Sequence, residues 1–440
     1  MKNKNYKVVL LVLSCFGLYL AVSVIALVFD IKWEPLERVN LVSELFKTKE
    51  KNPETKEETK EITENLAGAS KQDFNLYKKP EFITNFSVDE TMAMPRLVKK
   101  LHQLKTTGKG KIRIAYFGDS MIEGDLMTQT FRKLLQQEFG GAGVGYLPMA
   151  SNVAGFRQSA TIKASGWADT HFMTKGANNL YISGHIFKNG SGSYRDNTIQ
   201  DSINVEKSLI FGQADNAQIS VNNNFVQLNG NHLVNRKVLV NDLEKSIRVE
   251  AQTSVPIYGV SFESENGVFV DNFSFRGITG VELNKIDEDF LKAIDEANHY
   301  DLIVFQYGVN LLFRPKDTNY SHYDKAIRPV FEKMKRAFSK SDFLLISTAD
   351  RAFRYGGEYK SAIGIPNLVE LQAKLALDNG FAFYNQFESM GGENSIIRWA
   401  NEKPALANKD YIHPNHRGAE VLAEKLFNAL MKDYKKYQSK

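Results

Sequence analysis

The sequence predicts an α/β protein with an antiparallel β region inserted into it, and three observations carry that reading. Short, fully apolar segments alternate with amphipathic ones near residues 111–139 and again from residue 284 to the C-terminus. That alternation is the mark of a parallel sheet covered on both faces by helices. Between them, residues 150–272 hold short Val- and Ile-containing runs separated by turn signals such as Asn229-Gly230-Asn231 and Glu265-Asn266-Gly267, the pattern of an antiparallel β sandwich. Finally, an uninterrupted apolar run from Val8 to Phe29 stands apart from both.

The N-terminal run follows Lys2, Lys4 and Lys7 and ends at Asp30. About 20 apolar residues suffice to cross the hydrocarbon core as a helix, and the leading lysines place the N-terminus inside. The expectation is a retained signal anchor over residues 1–30. A single pass through the cytoplasmic membrane then leaves the bulk of the chain outside the cytoplasm, in the periplasm. A cleaved signal peptide fits less well, because the run exceeds the usual apolar region and lacks a clean cleavage site. Leu13-Ser14-Cys15 has the look of a lipidation box, but apolar residues continue well beyond Cys15. From Lys47 to Asn65 the composition turns to Lys, Glu and Thr, too polar to bury a core. Residues 31–85 are therefore expected to form a stalk, either extended or as a solvated helix.

In the α/β part, Leu97, Leu101 and Leu104 mark a helix over 90–106. The strand Ile112–Phe117 follows, then Gly118-Asp119-Ser120, then a helical stretch near 124–139 whose apolar positions repeat with period 3.6. Later strands are expected at 302–306, 343–347 and 381–384, with helices near 285–298, 321–338, 366–379 and 415–434. The discontinuous α/β domain is thus 86–149 plus 273–440, and the insert 150–272.

Composition narrows the function. Among 440 residues, 43% are hydrophobic and 24% charged, with a formal charge of +5. This mild excess, without an Arg stripe interleaved with aromatics, argues against a nucleic-acid partner. One cysteine excludes an intrachain disulfide and thiolate-rich metal sites. Nothing implies a metal or an organic cofactor.

Ligands of open parallel sheets bind at the carboxyl ends of the strands, and four features fall there. Ser120 sits directly after the first strand, where a serine at a strand-to-helix turn suits a nucleophile with a nearby oxyanion donor; the blander reading is a helix cap. Asn310, in Tyr307-Gly308-Val309-Asn310, carries an amide able to donate to an oxyanion, or to its own loop. Arg276-Gly277-Ile278-Thr279-Gly280 offers glycine N–H groups for close approach, or a simple tight turn. Asp410 precedes His413 by three residues, a spacing that lets the carboxylate orient the imidazole as a general base, or leaves both solvated before the last helix.

Taken together, in this order, these blocks resemble the SGNH hydrolases, the GDSL-type esterases. Phe117-Gly118-Asp119-Ser120 matches the first block, Gly280 the second, Gly308-Val309-Asn310 the third, and Asp410-x-x-His413 the last, over residues 111–149 and 275–430. The resemblance implies a flavodoxin-like three-layer α/β/α domain. It also implies Ser120 as nucleophile, His413 as base and Asp410 as its partner, with the Ser120 N–H, Gly280 and Asn310 as oxyanion hole. The first block has Met121 where Leu is usual, Leu311 follows Asn310 where Asp is common, and Gly277 competes with Gly280 for the second block.

An outward-facing SGNH domain on an anchor is similar to the branch acting on O-acyl groups of envelope polysaccharides. The stretch Gly118–Pro148 and the β insert resemble peptidoglycan O-acetylesterases, in which the insert is carbohydrate-module-like. Trp167, Tyr181, Phe187 and Tyr194 are candidates for stacking on sugars. The leading expectation is a serine esterase acting on an O-acylated glycan. The alternatives are an O-acyltransferase with the same triad, fed by a multispanning membrane partner, and a non-catalytic glycan-binding envelope protein.

Overall fold

The computed structural model describes residues 4–28, 74–86, 92–200 and 202–439, and the chain divides into two units, Met1–Ser70 and Lys71–Lys440. The described part of the first is the 25-residue helix Lys4–Val28. Among the described residues no helix is long and apolar enough to cross a membrane, so the membrane-spanning reading of this run is not carried by the structure. Most of the expected stalk, residues 31–73, lies outside the described residues.

The second unit is built on a five-stranded, all-parallel sheet. Its strands in chain order are Lys111–Gly118, Gly267–Ser274, Tyr300–Gln306, Asp342–Ile346 and Ala382–Tyr384. In space the second strand lies outside the first, followed by the third, fourth and fifth. This is the flavodoxin-like 2-1-3-4-5 order, whose direction reverses between first and third strands. Alternate residues of each strand feed opposite cores, as a period of two requires. Ile112, Ile114 and Tyr116 pack with the helices Pro95–Thr107, Thr128–Phe139 and His416–Gln438. Ala115 and Phe117 pack with Glu288–Asn298, Ser321–Ala337 and Ile365–Asn379. The result is three layers.

The β region forms two antiparallel sheets facing each other across a core that includes Leu209, Phe211, Ile247, Val249 and Val260. One sheet holds Ile257–Glu263 between Val205–Phe211 and the short strands His185–Lys188 and Gly145–Leu147. The other is ordered Ala160–Ser165, Gly190–Asp196, Ser246–Ala251, Ala214–Val221 and Asn224–Gly230.

Several boundaries differ from the sequence reading. The strand Gly267–Ser274 belongs to the parallel sheet, pairing with the first strand along its length, so the α/β part resumes before residue 273. A buried apolar strand reads the same in either setting. Gly145–Leu147 already pairs with the sandwich strand Ile257–Glu263, ahead of the expected boundary at 150. The expected stalk ends early: Tyr77 and Ile83 are buried, and Thr84 bridges to Phe383 at the sheet edge. Those apolar residues follow directly on the polar run and have a core to join. Of the four aromatics proposed to stack on sugars, Tyr181, Phe187 and Tyr194 are buried core residues.

Candidate functional site

The first strand delivers Asp119 and Ser120 at the carboxyl end of the sheet, beside the reversal in strand order. The helix expected near 124–139 starts later than the sequence suggests. A short turn, Glu123–Asp125, intervenes, and Asp125 and Met127 take positive φ values of 66° and 59°. The helix begins only at Thr128.

The histidine arrives from the other end of the chain. The helix His416–Gln438 is capped by Asn415, whose side chain accepts the N–H groups of Arg417 and Gly418. Just before it, the Asn408 N–H donates to the His413 carbonyl at 2.9 Å, and Ala407 bridges to Pro414. The Ala352 N–H donates to the Tyr411 carbonyl at 3.0 Å, tying this loop to the segment after the fourth strand. Held this way, His413 Nε2 lies 2.8 Å from Ser120 Oγ, and His413 Nδ1 lies 2.7 Å from Asp410 Oδ2. The other Asp410 oxygen accepts the N–H groups of Ile412 and His413 at 2.9 and 3.1 Å. With Asp410 accepting at Nδ1, the neutral imidazole carries its proton there and offers a lone pair to the Ser120 hydroxyl.

Electrostatics support that assignment. Partial burial alone would raise the Asp410 carboxyl, but the His413 side chain and the two N–H groups outweigh it, holding it below its ordinary value. Asp410 is thus an anion whenever the imidazole needs one. Ser120 itself is only 6% exposed.

Asn310 reaches the same strand ends. Its amide donates to the Ile278 carbonyl at 2.8 Å and to Asp119 Oδ2 at 3.1 Å. It therefore ties the second-block loop to the residue before Ser120. Asp119 is fully buried, and its other oxygen accepts the Met121 N–H at 2.9 Å. Burial pushes its carboxyl up to about 7. Gly280 has φ +91°, and a Cβ there would stand 2.8 Å from the Tyr307 ring. Gly277 also has a positive φ, +85°, but open space around it. Of the two second-block glycines, only Gly280 is pressed against the third block. Among the described residues no group of three or more His, Cys, Asp and Glu could hold a metal.

All the residues expected in the triad are therefore brought together, and Asn310 joins them through Asp119. Two participants went unread in the sequence. Asp119 appeared only as a member of the first block. Arg351 donates to the Val309 carbonyl at 2.8 Å, beside Asn310, and lacks any motif.

Comparison with known proteins adds the fold. No protein-family model matches the chain, and a search of curated proteins found no match. Among solved structures, a peptidoglycan O-acetylesterase superposes with a TM-score of 0.66 at 19% identity, covering 80% of this chain and 99% of that one. An acetyl xylan esterase aligns over 38% of this chain and 82% of its own, at 18% identity and a TM-score of 0.29. A family two carbohydrate esterase from Cellvibrio japonicus aligns over 63% and 98%, at 10% identity and 0.26. The last two superpose too loosely to argue from. The first extends the shared fold across almost the whole of that protein.

Proposed function

We propose that the chain is a serine esterase of the SGNH type that removes O-acetyl groups from a cell-envelope glycan such as peptidoglycan. The observation that carries this reading is the continuous hydrogen-bond chain from Ser120 through His413 to Asp410, at 2.8 and 2.7 Å, on the carboxyl edge of the parallel sheet. The fold shared with a peptidoglycan O-acetylesterase supports the choice of substrate.

The proposed chemistry follows from the geometry. Ser120 Oγ attacks the ester carbonyl while its proton passes to His413 Nε2, and Asp410 stabilises the resulting imidazolium. The tetrahedral oxyanion is met by the Ser120 and Gly280 N–H groups and the Asn310 amide. For Asn310 this means exchanging its longer bond, to Asp119, for one to the oxyanion. The imidazolium then gives its proton to the departing sugar oxygen, leaving an acetyl ester on Ser120. Water, deprotonated by His413, attacks that ester, and acetate leaves with Ser120 Oγ regaining its proton.

The same proposal anchors the chain in the cytoplasmic membrane by the run Val8–Phe29, N-terminus inside, with the α/β part and its β insert in the periplasm; the lysines before the run support it. The test of the activity is acetate release from O-acetylated peptidoglycan by the protein and by its Ser120→Ala variant. Release that depends on Ser120 is the expected result. Equal release by both proteins contradicts the proposal.

A further inference from the structure

Asn310 is the third residue of a tight turn. The Leu311 N–H donates to the Gly308 carbonyl at 2.9 Å, which closes Gly308–Leu311 as a β-turn. Both ends of the turn are fixed from outside. The Tyr307 carbonyl accepts from the buried Gln372 side chain at 2.8 Å, and Gly308 lies so close to Thr348 that a Cβ would stand 2.3 Å from that side chain. Leu311 is buried.

These contacts leave the central peptide, between Val309 and Asn310, to be held by something else. In the two common turn types this peptide points in opposite directions, and the flipped form needs a positive φ at the third residue. Most residues resist that backbone, but asparagine tolerates it. Asn310 does not take a positive φ here, so the turn sits in one of two forms that its sequence allows.

Arg351 holds that peptide. Its Nη1 donates to the Val309 carbonyl at 2.8 Å, and among the described residues no other donor reaches this oxygen. The bond is charge-assisted and so stronger than one between neutral groups. Burial brings the Arg351 pKa below its ordinary value, against the attraction of Asp410, and a guanidinium stays charged at neutral pH even so. The guanidinium lies 4.8 Å from the centre of the Phe353 ring.

The chain around Arg351 is itself anchored. The preceding Asp350 is fully buried and accepts from Ser361 Oγ and the Ile396 N–H at 2.6 and 2.9 Å. The Arg351 carbonyl accepts the Ala362 N–H at 2.7 Å, and the Ala352 N–H reaches the Tyr411 carbonyl, in the loop of Asp410 and His413. The Asn310 turn and the His413 loop are thus bonded to neighbouring residues of one rigid segment. Arg351 Nε is buried without an acceptor, a cost that a side chain serving packing alone would not need to carry.

We propose that Arg351 is a positioning residue for Asn310: it locks the Val309–Asn310 peptide in one orientation and so aims the Asn310 amide at the place where the oxyanion forms. The proposal rests on the esterase reading. Its weight is greatest when Asn310 lets go of Asp119, because the backbone then sets the direction of the amide.

The test is a double-mutant cycle on the full chain, with kcat and KM for 4-nitrophenyl acetate measured for the native protein, Arg351→Met, Asn310→Ala and the double variant. Thermal transitions check that each is folded. Asn310→Ala is expected to lower kcat about 10²–10³-fold. Arg351→Met is expected to lower it about 10–100-fold with KM nearly unchanged, by losing part of the same stabilisation. In the Asn310→Ala background it is expected to cost less than about twofold. Arg351→Lys, which keeps a charged donor, is expected to recover part of the loss, and it takes the place of Arg351→Met should that variant fail to fold. Losses that multiply in the double variant, or an unchanged kcat in folded Arg351→Met, overturn the proposal. Ser120→Ala keeps the two readings apart. Undiminished turnover in that variant defeats the esterase reading, whereas Ser120-dependent turnover with multiplying losses defeats only the part given to Arg351.

Discussion

The Asn310 amide donates to the buried Asp119 carboxylate at 3.1 Å, so the residue before the proposed nucleophile is bonded to a proposed oxyanion donor. Burial lifts the Asp119 carboxyl from its ordinary 3.8 to about 7. A carboxyl raised in the fold holds its proton where the unfolded chain has lost it. Stability from this group is therefore complete below about pH 4 and declines as pH rises to about 7, by a few kcal/mol at most. In Asp119→Asn that decline is expected to flatten. Thermal transitions of both proteins between pH 4 and 8 check this; parallel curves would contradict it.

Gly280 and Gly277 both have positive φ, but only Gly280 faces a ring: a Cβ at Gly280 would come within 2.8 Å of Tyr307. Gly280→Ala is expected to cost about 1–3 kcal/mol and to lower turnover by shifting its N–H. Gly277→Ala is expected to show the smaller loss in both. Urea unfolding and kcat for the pair distinguish second-block glycines that the sequence left open.

Asp125 is the one carboxylate that both Arg132 and Arg157 bind inside the protein, with side-chain exposures of 0, 2 and 7%. Asp125→Ala strands two buried cations, and the expected loss is about 3–5 kcal/mol. Denaturant unfolding reads it directly. A change within experimental scatter would mean that this cluster is solvated in solution.

Asp410 holds the Nδ1 proton of His413 at 2.7 Å and is 42% exposed. Asp410→Asn is expected to leave stability nearly unchanged while lowering kcat about 10²–10⁴-fold. Paired thermal and kinetic measurements check it; a drop in stability matched by intact turnover would remove Asp410 from its assigned role.

The Ser120–His413–Asp410 cluster was legible because each of its residues stands in a short motif at the end of a strong pattern. Ser120 follows an apolar strand, and Asp410 and His413 sit in one loop before a long amphipathic helix. Less legible was Gly267–Ser274, since a buried strand carries no sign of which sheet it joins. The turn after Ser120 also misled, because Leu126 and Met127 keep the helical period while the positive φ of Asp125 and Met127 prevents a helix there. Arg157, Asp169, His171 and His185 had no local pattern to mark them. They converge only because the sandwich folds back onto the turn after Ser120.

The most direct test of the central claim is intact-mass measurement of the protein during turnover of 4-nitrophenyl acetate, with Ser120→Ala alongside. The account predicts a transient gain of one acetyl group, mapped by peptide digestion to Ser120 and absent from the variant. Turnover without any acetylated protein, or an acetyl group on another residue, would contradict it.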